Sequence, residues 1–252
     1  MRPQVASMRS GNPTLSADTF RRVQAAAGEE SMTIGGTVNK TAIALLLLIL
    51  SAAYTWNTGA ANPASVGPLV MVGAIGGLIV AIATVFKQAW APITTPIYAL
   101  LEGLVLGGIS VITEAQYPGI VAQAVFLTFG TLGALLFVYR AGWVQVTDRF
   151  RAGVFAATGG IALFYLLSFV LGFFGVSVPL VNSSSTFGIA FSVIVVGVAA
   201  LNLVLDFDFI EQGARGRAPK YMEWYGAFGL MVTLVWLYLE MLRLLAKLQR
   251  RD

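Results

Sequence analysis

The stretch Thr186-Phe-Gly-Ile-Ala-Phe-Ser-Val-Ile-Val-Val-Gly-Val-Ala-Ala-Leu-Asn-Leu-Val-Leu-Asp206 runs for twenty positions without a charge and then closes on a carboxylate. At 1.5 Å per helical residue, twenty residues cover about 30 Å, the hydrocarbon thickness of a bilayer. Such a run is too long for an element of a soluble core, so it predicts a transmembrane helix. Its closing residue is costly there: insertion scales set a central carboxylate at about 2.5–3.5 kcal/mol. Glu240, 34 residues after Asp206, lies deep in the next apolar run. Carboxylates in such places point to an ion or proton site inside a helical bundle.

Composition agrees. The chain has 252 residues, 57% hydrophobic and 11% charged, with mean hydropathy +0.79; soluble domains carry about 25% charged residues. There is no cysteine and no histidine. Disulfides, thiolate nucleophiles, histidine-ligated zinc and serine–histidine catalysis are thereby excluded, and any pH response falls to carboxylates. The net charge of +4 comes from bases scattered at run ends, which report topology and give no reason to expect a nucleic-acid partner.

Seven runs predict an all-α membrane protein of seven transmembrane helices: 41–56, 66–86, 96–113, 119–139, 152–176, 186–206 and 222–245. Five bases precede the first run (Arg2, Arg9, Arg21, Arg22, Lys40). Lys87 follows the second, Arg140, Arg149 and Arg151 the fourth, and Arg215, Arg217 and Lys220 the sixth. The three opposite connections contain none. Twelve bases against none predict a cytoplasmic N-terminus. Arg243, Lys247, Arg250 and Arg251 break the pattern, so either the bundle tolerates an external basic tail or the last segment is a partial span. Residues 1–38, rich in Ser, Gly, Asn and Gln and without the apolar core of a signal peptide, predict a disordered cytoplasmic tail before a transmembrane domain over 39–252. Asn182-Ser-Ser-Ser-Thr186 offers caps for the sixth helix. Gly73 with Gly77, and Gly103 with Gly107, have the four-residue spacing that lets helices approach closely.

Asp206 and Asp208 fall about 200° apart on a helix, so one can face the bundle while the other reaches the cytoplasmic interface; alternatively both mark the helix end. Glu240 has Arg243 three residues on, which suits either an ion pair or a polar pathway. Glu102 has no nearby base and needs a partner on another helix, or a proton. Glu114 and Glu223 read as interfacial. Were Asp206 and Glu240 to meet, repulsion and desolvation would make them share a proton. Its loss would leave a transient calcium site, completed by carbonyls or water. Lys87 is a candidate cationic latch.

Three segments carry a resemblance: Val204-Leu-Asp-Phe-Asp-Phe-Ile210, Trp236-Leu-Tyr-Leu-Glu-Met-Leu-Arg243, and Pro96-Ile-Tyr-Ala-Leu-Leu-Glu-Gly-Leu-Val-Leu-Gly-Gly-Ile-Ser110. Over about residues 38–250 the chain resembles bacterial members of the Bax inhibitor-1 family. The resemblance implies a seven-helix bundle with the last helix central and a pH-sensitive calcium leak. It also implies a sensor pair at Asp206 and Glu240 and a basic latch near Lys87. The chain departs from the family pattern in three respects: Glu rather than Asp at 240, Lys rather than Arg at 87, and an inserted Gly213-Ala-Arg-Gly-Arg217.

Other classes fit less well. The last run has no mid-membrane lysine for a retinal Schiff base, the Gly-x-Gly-Asp signature of an intramembrane aspartyl protease is absent, and no pair of broken helices marks a transporter. The resulting expectation is a cation leak channel of the bacterial cytoplasmic membrane, not an enzyme. It has no resident cofactor, and its partners are the lipid bilayer, calcium and protons. The alternative is a non-conducting regulator of a membrane-bound protease or stress-response partner.

Overall fold

The computed structural model describes residues 30–175 and 183–250. Seven long helices follow one another: α1 Ile34–Ala61, α2 Val66–Phe86, α3 Ala91–Gln116, α4 Ile120–Arg140, α5 Asp148–Phe173, α6 Thr186–Arg215 and α7 Met222–Gln249. Short 3₁₀ turns at Pro63–Ser65 and Gln88–Trp90 precede α2 and α3. All seven are long and apolar enough to cross a membrane, so the chain is an all-α, multi-pass membrane bundle. The last helix is the most buried, with 67% of its most apolar window inside against 6% for α5. It is continuous over 28 residues, about 42 Å at 1.5 Å per residue, which removes the partial-span alternative on length.

Helix ends follow local chemistry. The Thr33 hydroxyl accepts from the Gly36 amide and caps α1. Thr147 does the same for α5 through the Phe150 amide, and Ser185 caps α6 through the Gly188 amide. The serine cap expected for the sixth helix is therefore present at Ser185, while Asn182 lies outside the described residues. Between α3 and α4 the chain turns at Gly119 (φ +85°). There the Glu114 carboxylate accepts from the Gly119 and Val121 amides, at 2.6 and 3.0 Å, and is the cap of α4.

The boundary expected at residue 38 needs correction. Helix α1 begins at Ile34, and residues 31–33 are paired: Ser31 bridges Pro219 in antiparallel fashion, and the Met32 amide donates to the Ala218 carbonyl at 2.6 Å. Thr37, Asn39, Lys40 and Thr41 made the start of the first span look polar. A helix capped at Thr33 simply continues through them, with Thr37 and Thr41 each returning a hydroxyl to the carbonyl four residues back.

The described residues divide into two compact units. One holds 30–123 and 210–235; the other holds Ala124–Phe209 and 236–250. In the first, α3 packs against both α1 and α2, and the glycine spacing explains how closely. A side chain at Gly103 or Gly107 would overlap the α1 backbone at Leu48 or Ala52, and one at Gly73 would overlap the Leu101 carbonyl of α3. The Ser51 hydroxyl donates to the Leu100 carbonyl at 2.6 Å across the α1–α3 contact. Tyr98 of α3 meets Phe228 edge to face at 5.0 Å, and the Thr95 hydroxyl donates to the Trp224 carbonyl. In the second unit α5 and α6 are tied by the Asn202 amide donating to the Thr158 hydroxyl at 2.8 Å, and Tyr139 of α4 lies 5.8 Å from Phe207.

Candidate functional site

The second unit holds Asp206, Asp208, Glu240, Arg243 and Lys247. Glu240 is 2% exposed and held from two directions. The Arg243 guanidinium donates to it at 2.7 Å, and the Tyr165 hydroxyl of α5 lies 3.1 and 3.2 Å from its two oxygens. Arg243 also donates to the Tyr165 hydroxyl at 2.6 Å and stacks 4.9 Å from that ring. The three side chains close a triangle in which a buried carboxylate has its charge balanced and its lone pairs used. The ion pair anticipated from the i, i+3 spacing is therefore formed. Tyr165 is the member that sequence reasoning missed, because nothing within α5 connects it to a residue 75 positions on.

A turn further along α7, Lys247 is 4% exposed. Its ammonium donates to the Gly188 carbonyl and the Ser192 hydroxyl of α6, both at 2.9 Å. Two of the four bases that broke the charge asymmetry, Arg243 and Lys247, thus serve buried partners and are not free to report which side of the membrane they face.

Asp206 is fully buried. Asp208, on another face of α6, is bound at 2.7 Å by Arg151 from the first turn of α5, and Arg151 also reaches Asp148 at 3.5 Å. One aspartate faces inward and the other pairs near the helix end, as their angular separation suggested. The basic partner, Arg151, had been read only as a topology charge.

The contacts within this unit set the register of the two carboxylates. Arg151 meets Asp208 and Thr158 meets Asn202, so α5 and α6 run antiparallel in step. Tyr165, where Glu240 is bound, lies seven residues beyond Thr158, and Asp206 lies four residues from Asn202 in the opposite direction. Along their own helices the two carboxylates are thus flanked by different partners, Asn202 one turn before Asp206 and Arg243 three residues after Glu240. The expected Asp206–Glu240 pair is carried forward as part of the functional proposal: Glu240 is held by Arg243 and Tyr165, and Asp206 is fully buried.

The remaining candidates lie in the first unit. The Lys87 ammonium sits 4.2 Å from the Trp90 ring centroid, at the exposed end of α2. Glu102 finds its partner on its own helix, the Tyr98 hydroxyl one turn earlier, and Gly77 of α2 leaves room for the carboxylate. Glu223, read as interfacial, is fully buried. Its Oε1 accepts from the Thr33 amide and hydroxyl at 3.0 and 2.9 Å, with Lys220 at 3.2 Å and Lys40 at 3.9 Å. It had looked interfacial because it opens α7 beside Lys220 and Trp224, and what buries it comes from 190 positions away. Among the described residues no group of three carboxylates is placed to hold a metal ion.

Seven helices long and apolar enough to cross a membrane, several carrying buried charged side chains, define a polytopic membrane protein. The chain belongs to the Bax inhibitor 1 like family, whose sequence model matches residues 12–250. Nothing matches the chain among curated proteins or among solved structures.

Proposed function

We propose that the chain is a pH-sensitive cation leak of the cytoplasmic membrane, permeable to calcium, with its N-terminus on the cytoplasmic side. The observation that carries this reading is the complete burial of two carboxylates, Asp206 and Glu240, inside membrane-spanning helices. Charge at that depth is costly and serves a pathway or a partner. Glu240 has a partner in Arg243, and Asp208 has one in Arg151. In this reading the two arginines restrain the carboxylates, the part that the family resemblance had given to Lys87. A calcium ion in passage would meet these carboxylates, with carbonyls and water completing its shell of six to eight oxygens.

The orientation rests on the twelve-to-none asymmetry of bases. A non-conducting regulator is the second reading, favoured by the Glu240–Tyr165–Arg243 triangle, which satisfies its carboxylate without any ion.

Calcium flux into dye-loaded liposomes at several pH values tests both. Wild type is compared with Asp206→Asn, Glu240→Gln and the double variant. A pH-dependent flux altered independently by each single substitution supports two separate control points, since distant sites add. Equal effects of the singles and the double support a shared pair. Folded protein that passes no calcium at any pH supports the regulator.

A further inference from the structure

The mechanism proposed above makes no use of Glu223, yet it is among the most constrained side chains in the described structure. It is fully buried, and its Oε2 has no hydrogen-bond partner but faces the Lys40 ammonium at 3.9 Å. Its Oε1 accepts from the Thr33 amide and the Thr33 hydroxyl, and Lys220 stands 3.2 Å away. The pocket is shaped for this group: any side chain at Gly36 would overlap the carboxylate. Lys40 in turn lies 5.7 Å from the Trp224 ring. Thr33 caps α1, so the same carboxylate sits at the positive end of that helix and helps fix where it starts.

Just before Thr33 the backbone is joined to the segment that leads into α7. The Met32 amide donates to the Ala218 carbonyl, Ser31 bridges Pro219, and Met32 is 2% exposed. Lys220 also reaches Glu30 at 3.7 Å. These contacts are short in sequence at each end and join positions about 190 apart.

We infer that residues 30–33 form a strap across the start of α7, with Glu223 as its buckle: withdrawing the carboxylate releases the strap and the first turn of α1 together. Two donors of the strap share one acceptor oxygen, so loss of that oxygen unties both at once. The device links whatever acts on the chain before residue 30 to the first turn of the helix that also bears Glu240. It stands independently of whether the protein conducts.

The chain contains no cysteine, so a single engineered disulfide reports the strap without interference. Ser31→Cys with Pro219→Cys places thiols at facing antiparallel positions, within the Cα separation a disulfide needs. In membrane-embedded protein this pair is expected to oxidise quickly. Adding Glu223→Ala is expected to slow it about tenfold, since charge-assisted bonds hold the strap. Glu223→Gln should fall between, keeping an acceptor for Thr33 but losing the lysines. Equal oxidation rates in folded Glu223→Ala and its parent would overturn the proposal.

Should Glu223→Ala fail to fold, Thr33→Val takes its place, removing one strap donor and leaving the carboxylate. Hydrogen exchange at the Met32 amide is then the readout, expected to accelerate severalfold. Unchanged protection of that amide would equally overturn the buckle.

Discussion

The guanidinium of Arg243 lies 2.7 Å from the carboxylate of Glu240, three residues back on the same helix. A pair at that spacing forms as the helix forms, before any tertiary contact. What tertiary structure adds is Tyr165, whose hydroxyl bonds both members and whose ring lies against the arginine.

Removing the arginine alone leaves a nearly buried carboxylate uncompensated. Breaking a buried pair costs about 3–5 kcal/mol, and discounting for the 36% exposure of the Arg243 side chain sets Arg243→Gln at about 2 kcal/mol. Thermal unfolding in detergent checks this. The double variant Glu240→Gln/Arg243→Gln should regain more than half of the loss, and a double as unstable as the sum of the singles would deny the coupling.

Tyr165→Phe keeps the ring and deletes only the hydroxyl. The expected loss is about 1.5–3 kcal/mol, the range for a hydrogen bond to a charged group. In the Glu240→Gln/Arg243→Gln background the same change should cost much less. A constant cost in both backgrounds would show that the hydroxyl acts elsewhere.

The Arg151–Asp208 pair makes a second test, its side chains only 11% and 18% exposed. Arg151→Ala is expected to destabilise by about 2–4 kcal/mol, and Arg151→Lys by less, because a lysine keeps the charge but loses the guanidinium fork. Equilibrium unfolding of the three proteins ranks them.

Glycines divide cleanly by surroundings. At Gly107 a methyl group would meet the Ala52 backbone, while at Gly130 it would meet nothing within contact range. Gly107→Ala should cost about 1–3 kcal/mol through forced separation of α1 and α3. Gly130→Ala should be neutral or slightly stabilising, since glycine is a poor helix former. Melting temperatures of the two single variants, measured side by side, decide it.

Hydropathy made the fold legible. Seven apolar runs became seven helices because a bilayer leaves the backbone no alternative but to bond to itself. Helix ends were less visible. The sequence expectation began the first span at 41 because Lys40 and its polar neighbours hide a helix that Thr33 starts at Ile34.

Within the site, Arg243 was readable from Glu240 because a helix maps three residues onto one face. Tyr165, Arg151 and the Thr33–Glu223 contact were not, since each joins helices distant in sequence. An Asp206–Glu240 pairing was not legible for a related reason: the motifs locate each residue on its helix but say nothing of how far antiparallel neighbours slide.

Glu240, Arg243 and Lys247 form a polar line on the last helix, each bound to a neighbour. During synthesis that helix leaves the ribosome with these side chains bare, and a carboxylate or guanidinium costs about 2.5–3.5 kcal/mol if presented to lipid at mid-depth. The internal pair offsets two of them; the lysine must wait for the Gly188 carbonyl and Ser192. Those groups belong to a helix already made. The order of synthesis therefore matters for packing: the lysine of the last segment finds its acceptors only on a helix laid down before it.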